Sequence, residues 1–344
     1  MSDEQSTDKV NKRDGVTKID CHAHLIGISP RSGGYASPKM RRSIPFQFLL
    51  RKQGLHTLKD PVAQDGRYAE ILADAVRTSE IDKCVVLAFD QIFNRDGAPE
   101  AKQTYLYIPN EYVRDVTSQY ADCFLYGASV HPYRRDCLDE LEKVQAEGAR
   151  LIKLLPNSQG FDPSDSRIMS YYQKAVDLGL PLLFHCGYEH TIPAVNQQYG
   201  DPNRLVPALE MGVKVIIAHG GSSGRFHVKE TFGDSLRLLQ KYENCYADNS
   251  AMTNFWRSQY MLAVFTPGLL ERKYGVSSEK IAGKFLHGTD YPIPLTPFAF
   301  HACIPRVQRK RMKQISNFFD LDLAIKRAVG FDDQCFVNSA RLLA

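Results

Sequence analysis

Short apolar runs alternate with helix-compatible segments along most of the chain. The runs are rich in β-branched and aliphatic residues, and a stretch with apolar residues at helical spacing follows each of them. Near-continuous apolar strands are typical of a parallel sheet that is covered on both faces. Gly148, Gly179 and Gly212 each follow a helical stretch, where a C-terminal glycine belongs. Eight runs predict strands, over residues 17–25, 83–89, 123–132, 150–156, 181–186, 214–219, 245–250 and 284–292.

The alternation of strands and helices predicts the fold class and the domain organisation. Repeated βαβ units indicate an α/β protein, and eight of them favour a single (β/α)8 barrel of the TIM type over the alternative, a doubly wound open sheet. The 344 residues fit one barrel, because such barrels range from about 200 to more than 400 residues. We expect a disordered polar leader over residues 1–15 and the barrel over 16–344. Residues 29–66 form a long loop after strand 1, and loops of this length are usually lids or binding loops.

Composition and charge bear on the cellular compartment and on the kinds of partner that we expect. Hydrophobic residues make up 43% of the chain and charged residues 24%, as in soluble globular domains, and no apolar run approaches the roughly 20 residues that span a bilayer. The polar N-terminus lacks the apolar stretch of a secretory signal. The net charge is only +4, and the densest basic segment, 306–313, is interpreted as a solvated face. We therefore expect a cytoplasmic protein with a small-molecule substrate and no nucleic-acid or membrane partner.

Six polar residues stand within or at the ends of the predicted strands. Catalytic groups of TIM-type barrels come from the C-terminal ends of several strands. Neutral imidazole and carboxylate are the usual protein ligands of zinc and similar divalent ions, and an open coordination position can carry a water whose pKa the cation lowers towards neutrality. The pattern therefore predicts an open metal site at one rim of the barrel. Its residues are His22 and His24 on strand 1, Lys153 on strand 4, His185 on strand 5, His219 on strand 6 and Asp290 on strand 8.

Each of these residues has a structural alternative. A lone histidine or lysine in a strand is more often structural, and a lone His-x-His motif is weak, so the prediction depends on the shared position of all six at strand ends. His131, at the end of strand 3, is interpreted as a capping or structural residue rather than as a support for the site. The remaining histidines have no firm role: His190, His227 and His301 stand in loops where surface exposure is the default, and His56 and His287 carry no signal.

A resemblance to the amidohydrolase superfamily, and specifically to its amidohydrolase-related subgroup, is carried by five segments: DCHAHL, LIKLLP, LLFHCG, IIAHGG and LHGTDYP. The likeness runs from about Lys18 to the C-terminus and includes the final NSARL, and the ordered set is far more specific than any one motif. That subgroup contains metal-dependent hydrolases together with aminocarboxymuconate-semialdehyde decarboxylase and γ-resorcylate decarboxylase. The resemblance implies a barrel with a divalent metal, for which zinc is expected, and with the ligands His22, His24, His185 and Asp290.

The resemblance leaves the number of metal ions open between one and two. Superfamily members with two metals have a carboxylated lysine on strand 4 and a ligating histidine on strand 6, and Lys153 and His219 occupy those places. A free ammonium group cannot bind a cation, whereas carbamylation would give the lysine an anionic oxygen. Many subgroup members are mononuclear. We favour one ion, with His219 as an acid/base and with Lys153 either facing a substrate carboxylate or structural.

Two reactions and one binding role follow as functional hypotheses. The first is a metal-dependent hydrolase of a C–N or C–O bond, in an amide, lactone or ester, with Asp290 as the general base towards a metal-activated water. The alternative is a metal-dependent, non-oxidative decarboxylase of an aromatic or unsaturated carboxylic acid, in which His219 or Asp290 protonates the carbanion. The third, a non-catalytic barrel that binds a ligand, conflicts with the retention of every expected ligand type.

A basic segment after strand 1 bears on the substrate. Its Arg31, Lys39, Arg41, Arg42 and Arg51 are expected over the mouth of the barrel. Arginine binds carboxylates through two parallel hydrogen bonds, so a carboxylated substrate is one interpretation and a solvated flexible loop is the equal alternative. Subgroup members are often dimers, and this analogy alone suggests a homodimer.

Overall fold

Eight parallel strands form one sheet in which each strand pairs with the next along the chain. The computed structural model describes residues 17–224 and 230–343, so the leader expected over residues 1–15 lies outside the described part. We number the barrel strands in chain order. They are β1 (Ile19–His24), β2 (Lys83–Leu87), β3 (Phe124–Ala128), β4 (Leu151–Leu154), β5 (Leu182–His185), β6 (Val215–Ala218), β7 (Cys245–Asp248) and β8 (Phe285–Leu286).

The first and last strands meet, and their contact closes the sheet. Ala23 of β1 forms a parallel bridge with Tyr291, which follows β8. The amides of Cys21 and His24 donate to the carbonyls of His287 and Tyr291 at 2.9 and 3.0 Å. The structure therefore confirms the (β/α)8 barrel, and the open doubly wound alternative is wrong.

Helices connect the strands and pack around them. In the helix Pro61–Arg77 the start is determined by local sequence: Asp60 accepts hydrogen bonds from the amides of Val62 and Ala63, and a proline occupies the first turn. The other described α-helices are Pro38–Arg41, Ile44–Lys52, Asn110–Gln119, Cys137–Ala146, Pro156–Gln159, Met169–Asp177, Val206–Glu210, Phe232–Lys241, Ser258–Phe265, Leu269–Tyr274, Ser278–Ile281, Arg306–Met312, Phe318–Ala328 and Gln334–Leu343. Short 3-10 turns cover Leu55–Thr57, Ser166–Ile168, Gln197–Gly200, Pro202–Leu205, His219–Gly221, Ala282–Lys284 and Pro297–Phe300, and a small antiparallel pair joins Tyr35–Ala36 to Leu106–Tyr107.

The core has an inner layer within the barrel and an outer layer between strands and helices. The inner layer is a small cluster that includes Ile19, Cys21 and Val85, with Leu343 of the last helix among them. The outer layer is much larger and contains the opposite faces of the same strands. Burial on both faces explains why the strands are near-continuous apolar runs. No helix among the described residues is both long and apolar enough to cross a membrane.

A β-bulge in β1 changes which side chains face the inside of the barrel. Asp20 pairs with Cys84 and Ala23 with Val86, so β1 has one more residue than β2 over this stretch. Strict alternation from Cys21 would direct residue 22 outwards. The extra residue reverses the alternation, as bulges beside active sites often do, and residues 22 and 24 both point to the inside.

A buried ion pair supports the segment that follows β8. Lys326 Nζ lies 2.6 Å from Asp322 Oδ2, one helical turn away on Phe318–Ala328, and donates to the carbonyl of Gly288 at 2.7 Å. Thr253 donates to the other oxygen of Asp322 at 2.7 Å. Burial raises the pKa of Asp322, and the adjacent ammonium opposes that rise. The pair thus links the helix Phe318–Ala328 to the loops after β7 and β8.

We expect Lys326→Met to destabilise the protein by about 3–5 kcal/mol, because it leaves the charge of Asp322 buried without its partner. Urea unfolding followed by circular dichroism measures the loss. Arg327→Met is the matched control, since the adjacent Arg327 makes partly exposed ion pairs of the kind that contribute about 0–1 kcal/mol. Equal stability of the two variants would contradict the assigned role of the pair.

Candidate metal centre

All six residues predicted from the sequence line one cavity at the C-terminal end of the barrel. His22 and His24 end β1, Lys153 lies within β4 and His185 ends β5, as expected. The remaining two, His219 and Asp290, follow β6 and β8 on loop backbone. The prediction that strand 8 extends over 284–292 is wrong, because β8 ends at Leu286 and the chain turns out of the strand before it reaches the aspartate.

His219 and Asp290 both adopt the left-handed backbone region, with φ of 55° and 60°. Non-glycine residues in such conformations cost about 1–3 kcal/mol and persist where the surrounding structure holds them, often at functional sites. The turn after β6 brings the side chain of His219 into the cavity, where a continued strand would have alternated it away from the inner side that Ala218 occupies. Asp290 reaches the same cavity from the turn after β8.

Asp290 lies at the centre of a group of imidazoles. His22, His219 and Asp290 each offer a ligand atom, and these atoms lie within 4.8 Å of one another, so this buried group could hold a metal ion. Asp290 Oδ1 is 3.1 Å from His24 Nε2 and 3.6 Å from His22 Nε2, and Oδ2 is 3.8 Å from His219 Nε2. The structure thus brings together side chains from β1 and from the segments that follow β6 and β8.

The end of β7 orients two of these rings. Asp248 Oδ2 is 2.8 Å from His22 Nδ1, and Oδ1 accepts from the amide of His219 at 2.8 Å and from the hydroxyl of Ser250. Ser250 Oγ lies 2.7 Å from His219 Nδ1. Because the one hydroxyl proton of Ser250 goes to the carboxylate, His219 Nδ1 must be the donor to Ser250, and His22 Nδ1 must donate to Asp248. Both Nε2 atoms therefore keep a lone pair, as bonds of this kind ensure in metal sites.

Sequence reasoning missed Asp248 and Ser250, although a signal was present. Both lie in the seventh predicted strand, 245–250, and an acidic residue near the end of a barrel strand is the same feature that identified Asp290. Glu189 was also missed: it lines the cavity, accepts hydrogen bonds from the amides of Thr191 and Ile192, and lies in a loop where no periodic pattern marks it.

Burial keeps three of the imidazoles, those of His22, His185 and His219, neutral. It lowers the pKa of His22 and of His219 well below the usual range, with nearby Lys153 adding to the effect on His22 and Arg257 to that on His219. Burial also lowers the pKa of His185 to about 4. Neutral imidazole is the form that binds a metal, so near neutral pH these rings can accept a cation without first losing protons.

The donor set fits a divalent cation. The Nε2 atom of His185 is buried and has no hydrogen-bond partner among residues 17–224 and 230–343. The carboxylate oxygen Oε2 of Glu189 lies 3.4 Å from it, without the alignment of a hydrogen bond. A buried polar atom without a partner is rare in folded proteins. An imidazole lone pair directed into a cavity with a carboxylate and further neutral imidazoles has the chemistry of a ligand.

Asp20 holds the backbone on both sides of the cluster. Its Oδ1 accepts from the amides of His22 and Thr289 at 2.9 and 3.1 Å, and its Oδ2 accepts from the Thr289 hydroxyl at 2.6 Å. The amide of Asp290 donates to the carbonyl of His22 at 2.7 Å. Burial raises the pKa of Asp20 to about 7, against the opposing effect of Thr289. These bonds fix the end of β1 against the turn that carries Asp290.

Comparison with known proteins identifies the family. A profile of the amidohydrolase family matches residues 19–330. The chain belongs to the amidohydrolase family. Its fold is similar to an uncharacterized TIM-barrel protein from Bordetella bronchiseptica (14% identity, 94% of this chain and 99% of that chain, TM-score 0.58) and to 5-carboxyvanillate decarboxylase from Sphingomonas paucimobilis (12% identity, 96% and 99%, TM-score 0.52). A search of curated proteins finds no match.

The cavity of this amidohydrolase-family member has a polar floor and apolar walls. It measures about 130 Å³. The six residues and Glu189 form its floor, while the segment after β1 supplies a roof from the helix Ile44–Lys52. The apolar wall and roof residues include Leu25, Ile28, Met40, Phe46, Leu49, Leu50, Phe89, Ile108, Leu155, Ile192 and Ile293.

The basic residues of the segment after β1 do not face this cavity. None of the five named from the sequence lines it. Arg41 donates to the carbonyls of Ala36 and Ile28 at 3.0 and 2.9 Å, and Lys39 Nζ lies over the ring of Tyr105 at 5.2 Å. Of the two interpretations of this segment, the arrangement favours the solvated one, because apolar side chains of the segment line the cavity and four of the five charged ones are exposed.

The other histidines among the described residues lie outside the cluster. His131 is fully buried, accepts from the amide of Tyr133 at 3.1 Å and lies 2.9 Å from the carbonyl of Gln159, which agrees with a structural role. His287 packs against Phe336. His56 and His301 are exposed, and His190 lies 3.2 Å from the carbonyl of Ser223. His227 lies outside the described residues.

We expect Asp248→Asn to weaken the affinity of the protein for a divalent metal by about 10- to 100-fold, the usual effect of losing a residue that orients a ligand. Competition with a chromophoric chelator measures the affinity. Asp65→Asn is the control, because Asp65 is also buried but accepts its hydrogen bonds from the amides of Ile28 and Ser29. Unchanged affinity in folded Asp248→Asn would contradict the orienting role.

Proposed function

We propose that the protein is a metal-dependent, non-oxidative decarboxylase of a compact aromatic or unsaturated carboxylic acid. The cavity supports this proposal most directly, since apolar walls enclose a space of about 130 Å³ above polar groups. An engineered apolar cavity of about 150 Å³ holds one benzene molecule. The space therefore suits a single ring or a short unsaturated chain whose carboxylate points to the floor.

The balance of polar and apolar groups favours decarboxylation over hydrolysis. Hydrolysis produces an acid together with an amine or an alcohol, and these need polar partners on both sides of the broken bond. Decarboxylation converts an anion into carbon dioxide and an apolar product, for which only one polar side is needed. The proposal agrees with the reaction named for the Sphingomonas barrel, with which the chain shares its fold.

For the metal, we propose the ligands His22, His24, His185 and Asp290. When bound, a divalent cation would supply a positive charge that attracts and orients the carboxylate of the substrate. Imidazole and carboxylate ligands accept zinc and several other first-row ions, so zinc remains our expectation from the sequence. His219, whose Nε2 also faces Asp290, is proposed as the adjacent acid/base.

Asp290 is the residue that we assign as the proton donor. In the proposed reaction the bond from carbon to the carboxylate breaks, carbon dioxide leaves, and the electron pair stays on carbon. Protonated Asp290 then transfers its proton to that carbon. His219, which is not one of the four proposed ligands, lies with its Nε2 3.8 Å from Asp290 Oδ2, so it can return a proton to that carboxylate.

We expect the metal-loaded protein to release carbon dioxide from members of a panel of hydroxybenzoates and unsaturated carboxylic acids, and to place one deuterium on the product carbon in heavy water. Asp290→Asn should lower kcat by about 100- to 10,000-fold, the range for loss of a general acid. Metal content is measured in parallel. Thr191→Ala is the control, because Thr191 lines the cavity and has no acidic proton.

Other outcomes would reject the decarboxylase. Acid production from an ester, lactone or amide without carbon dioxide would establish the hydrolase instead. If the metal-loaded protein binds aromatic acids tightly but catalyses neither reaction, the non-catalytic binding role is established.

One observation favours hydrolysis as the second candidate. Lys153 is 1% exposed, and its Nζ lies 3.1 Å from His22 Nε2, beside the lone pair that a metal would use. Burial lowers its pKa, and only the neutral amine reacts with carbon dioxide to form a carbamate. A carbamylated Lys153 would be an anionic ligand for a second ion, as in the binuclear hydrolases to which the motifs are similar.

Lys153→Met separates the two interpretations by metal stoichiometry. If the protein holds one ion, the variant should still bind one ion, with equal or higher affinity, because the competing ammonium is gone. If a carbamate bridges two ions, the count should fall from two to one or fewer. Elemental analysis gives the count, and intact mass before and after acid treatment detects the carbamate. A count of two in the wild type would overturn our preference for one ion.

A further inference from the structure

The large apolar side chains that are exposed concentrate at one end of the barrel. Among the described residues nine are exposed, and eight of them lie in segments that follow the C-terminal ends of strands. The four with the highest values are Ile44 (85%), Val307 (65%), Phe298 (62%) and Trp256 (53%). Only Val337 lies elsewhere. Exposed apolar groups collected on one face indicate an interaction site.

The same end carries an excess of positive charge. Segments 25–59 and 291–317 contain twelve of the 43 Lys and Arg and none of the 39 Asp and Glu. The rest of the chain therefore has 31 basic and 39 acidic residues, a formal charge of −8 against a total of +4. Ten of the twelve are exposed, and among residues 17–224 and 230–343 none of the twelve forms an ion pair with a carboxylate.

The two segments are neighbours in space. They leave adjacent strands, since Ala23 of β1 bridges Tyr291 after β8. The hydroxyl of Tyr291 donates to Gln53 at 2.9 Å, and Lys52 Nζ lies 5.6 Å from the ring centroid of Phe318. They form one sector of the mouth, which we call the basic rim (residues 25–59 and 291–317).

The helix Ile44–Lys52 of the basic rim is apolar on two faces. Phe46, Leu49 and Leu50 line the cavity. Ile44 and Phe48, four residues apart and hence neighbours on the helix surface, face outwards and are 85% and 50% exposed. No contact within the described chain accounts for this outer apolar face. Basic residues stand before and after it in the sequence.

We propose that the basic rim docks on an anionic lipid surface, with Ile44, Phe48, Phe298 and Val307 entering the interface between headgroups and acyl chains. Basic residues near a surface are attracted to anionic lipids, and adjacent apolar side chains add the energy of burial. The sequence led us to expect no membrane partner, because no apolar run approaches the length that spans a bilayer, but docking on a membrane surface needs no such run. In the folded protein a second basic segment, 25–59, and exposed apolar side chains lie beside the basic segment 306–313.

Two other occupants fit less well. A second copy of the chain, bound through the same face, would oppose twelve uncompensated positive charges to twelve more. Single-stranded nucleic acid is bound by basic grooves in which aromatic rings stack on bases, but the two most exposed side chains, Ile44 and Val307, are aliphatic and cannot stack. A lipid surface satisfies both the charge and the aliphatic groups.

The test is flotation of the full-length protein with vesicles of phosphatidylcholine alone or mixed with phosphatidylserine. We expect binding only to the mixed vesicles, and weaker binding as salt rises. The triple variant Arg306→Gln/Lys310→Gln/Arg311→Gln should bind about 100-fold more weakly, at about fivefold per charge. Ile44→Ser/Phe48→Ser should also bind at least about tenfold more weakly, because the inserted apolar area is lost.

Matched variants at the other end of the barrel are the controls. Arg150→Gln/Lys214→Gln/Lys241→Gln removes three exposed charges on that side, directly before β4, directly before β6 and at the end of the helix Phe232–Lys241. Val337→Ser removes the exposed apolar residue there. Both should bind vesicles as the wild type does. Circular dichroism verifies the folding of every variant.

Three results would overturn the proposal. The first is no binding to mixed vesicles at low salt. The second is tighter binding of a single-stranded oligonucleotide, lost in the same variants. The third is a dimer in sedimentation that Ile44→Ser/Phe48→Ser converts to monomer. All these readouts are independent of catalysis, so they do not depend on the proposed reaction.

Discussion

The carboxylate of Asp248 is the interaction on which the candidate site depends. At the end of β7 it bonds to His22 of β1, to the backbone of His219 after β6 and to Ser250. Loss of any of these bonds would leave a buried polar group unpaired in an apolar interior, which is costly. Because Ser250 extends the constraint to His219 Nδ1, one anion orients two rings, and both present Nε2 to Asp290.

The position of Asp290 depends on a second set of buried charges. Its backbone has an unfavourable positive φ, and the turn is held by Asp20 from the side of β1 and by Lys326 from the last barrel helix. Closure of the barrel between β1 and β8 brings these groups together. The stability of the fold thus offsets the local strain, and the closure that makes the barrel also makes the site.

One segment, residues 25–59, serves three purposes through different faces. Its apolar residues roof the cavity, and Arg41 donates hydrogen bonds to two carbonyls of the same segment. Its outer surface combines exposed apolar groups with exposed basic residues. The helix Ile44–Lys52 therefore contacts the cavity on one face and the outside of the barrel on the other.

The sequence by itself determined the barrel, the family and the six residues that meet in one cavity, because apolar periodicity marks each strand and parallel strands end at the same rim. Tertiary structure decided the rest. The bulge after Asp20, the early end of β8 and the burial of Glu189 have no periodic signature, and the link from Asp248 to β1 and β6 joins residues distant in sequence. Which side of a long segment turns inwards also depends on competition for burial across the whole mouth. That competition placed Phe46 rather than Arg41 over the cavity, since apolar groups gain from leaving water and charged groups do not.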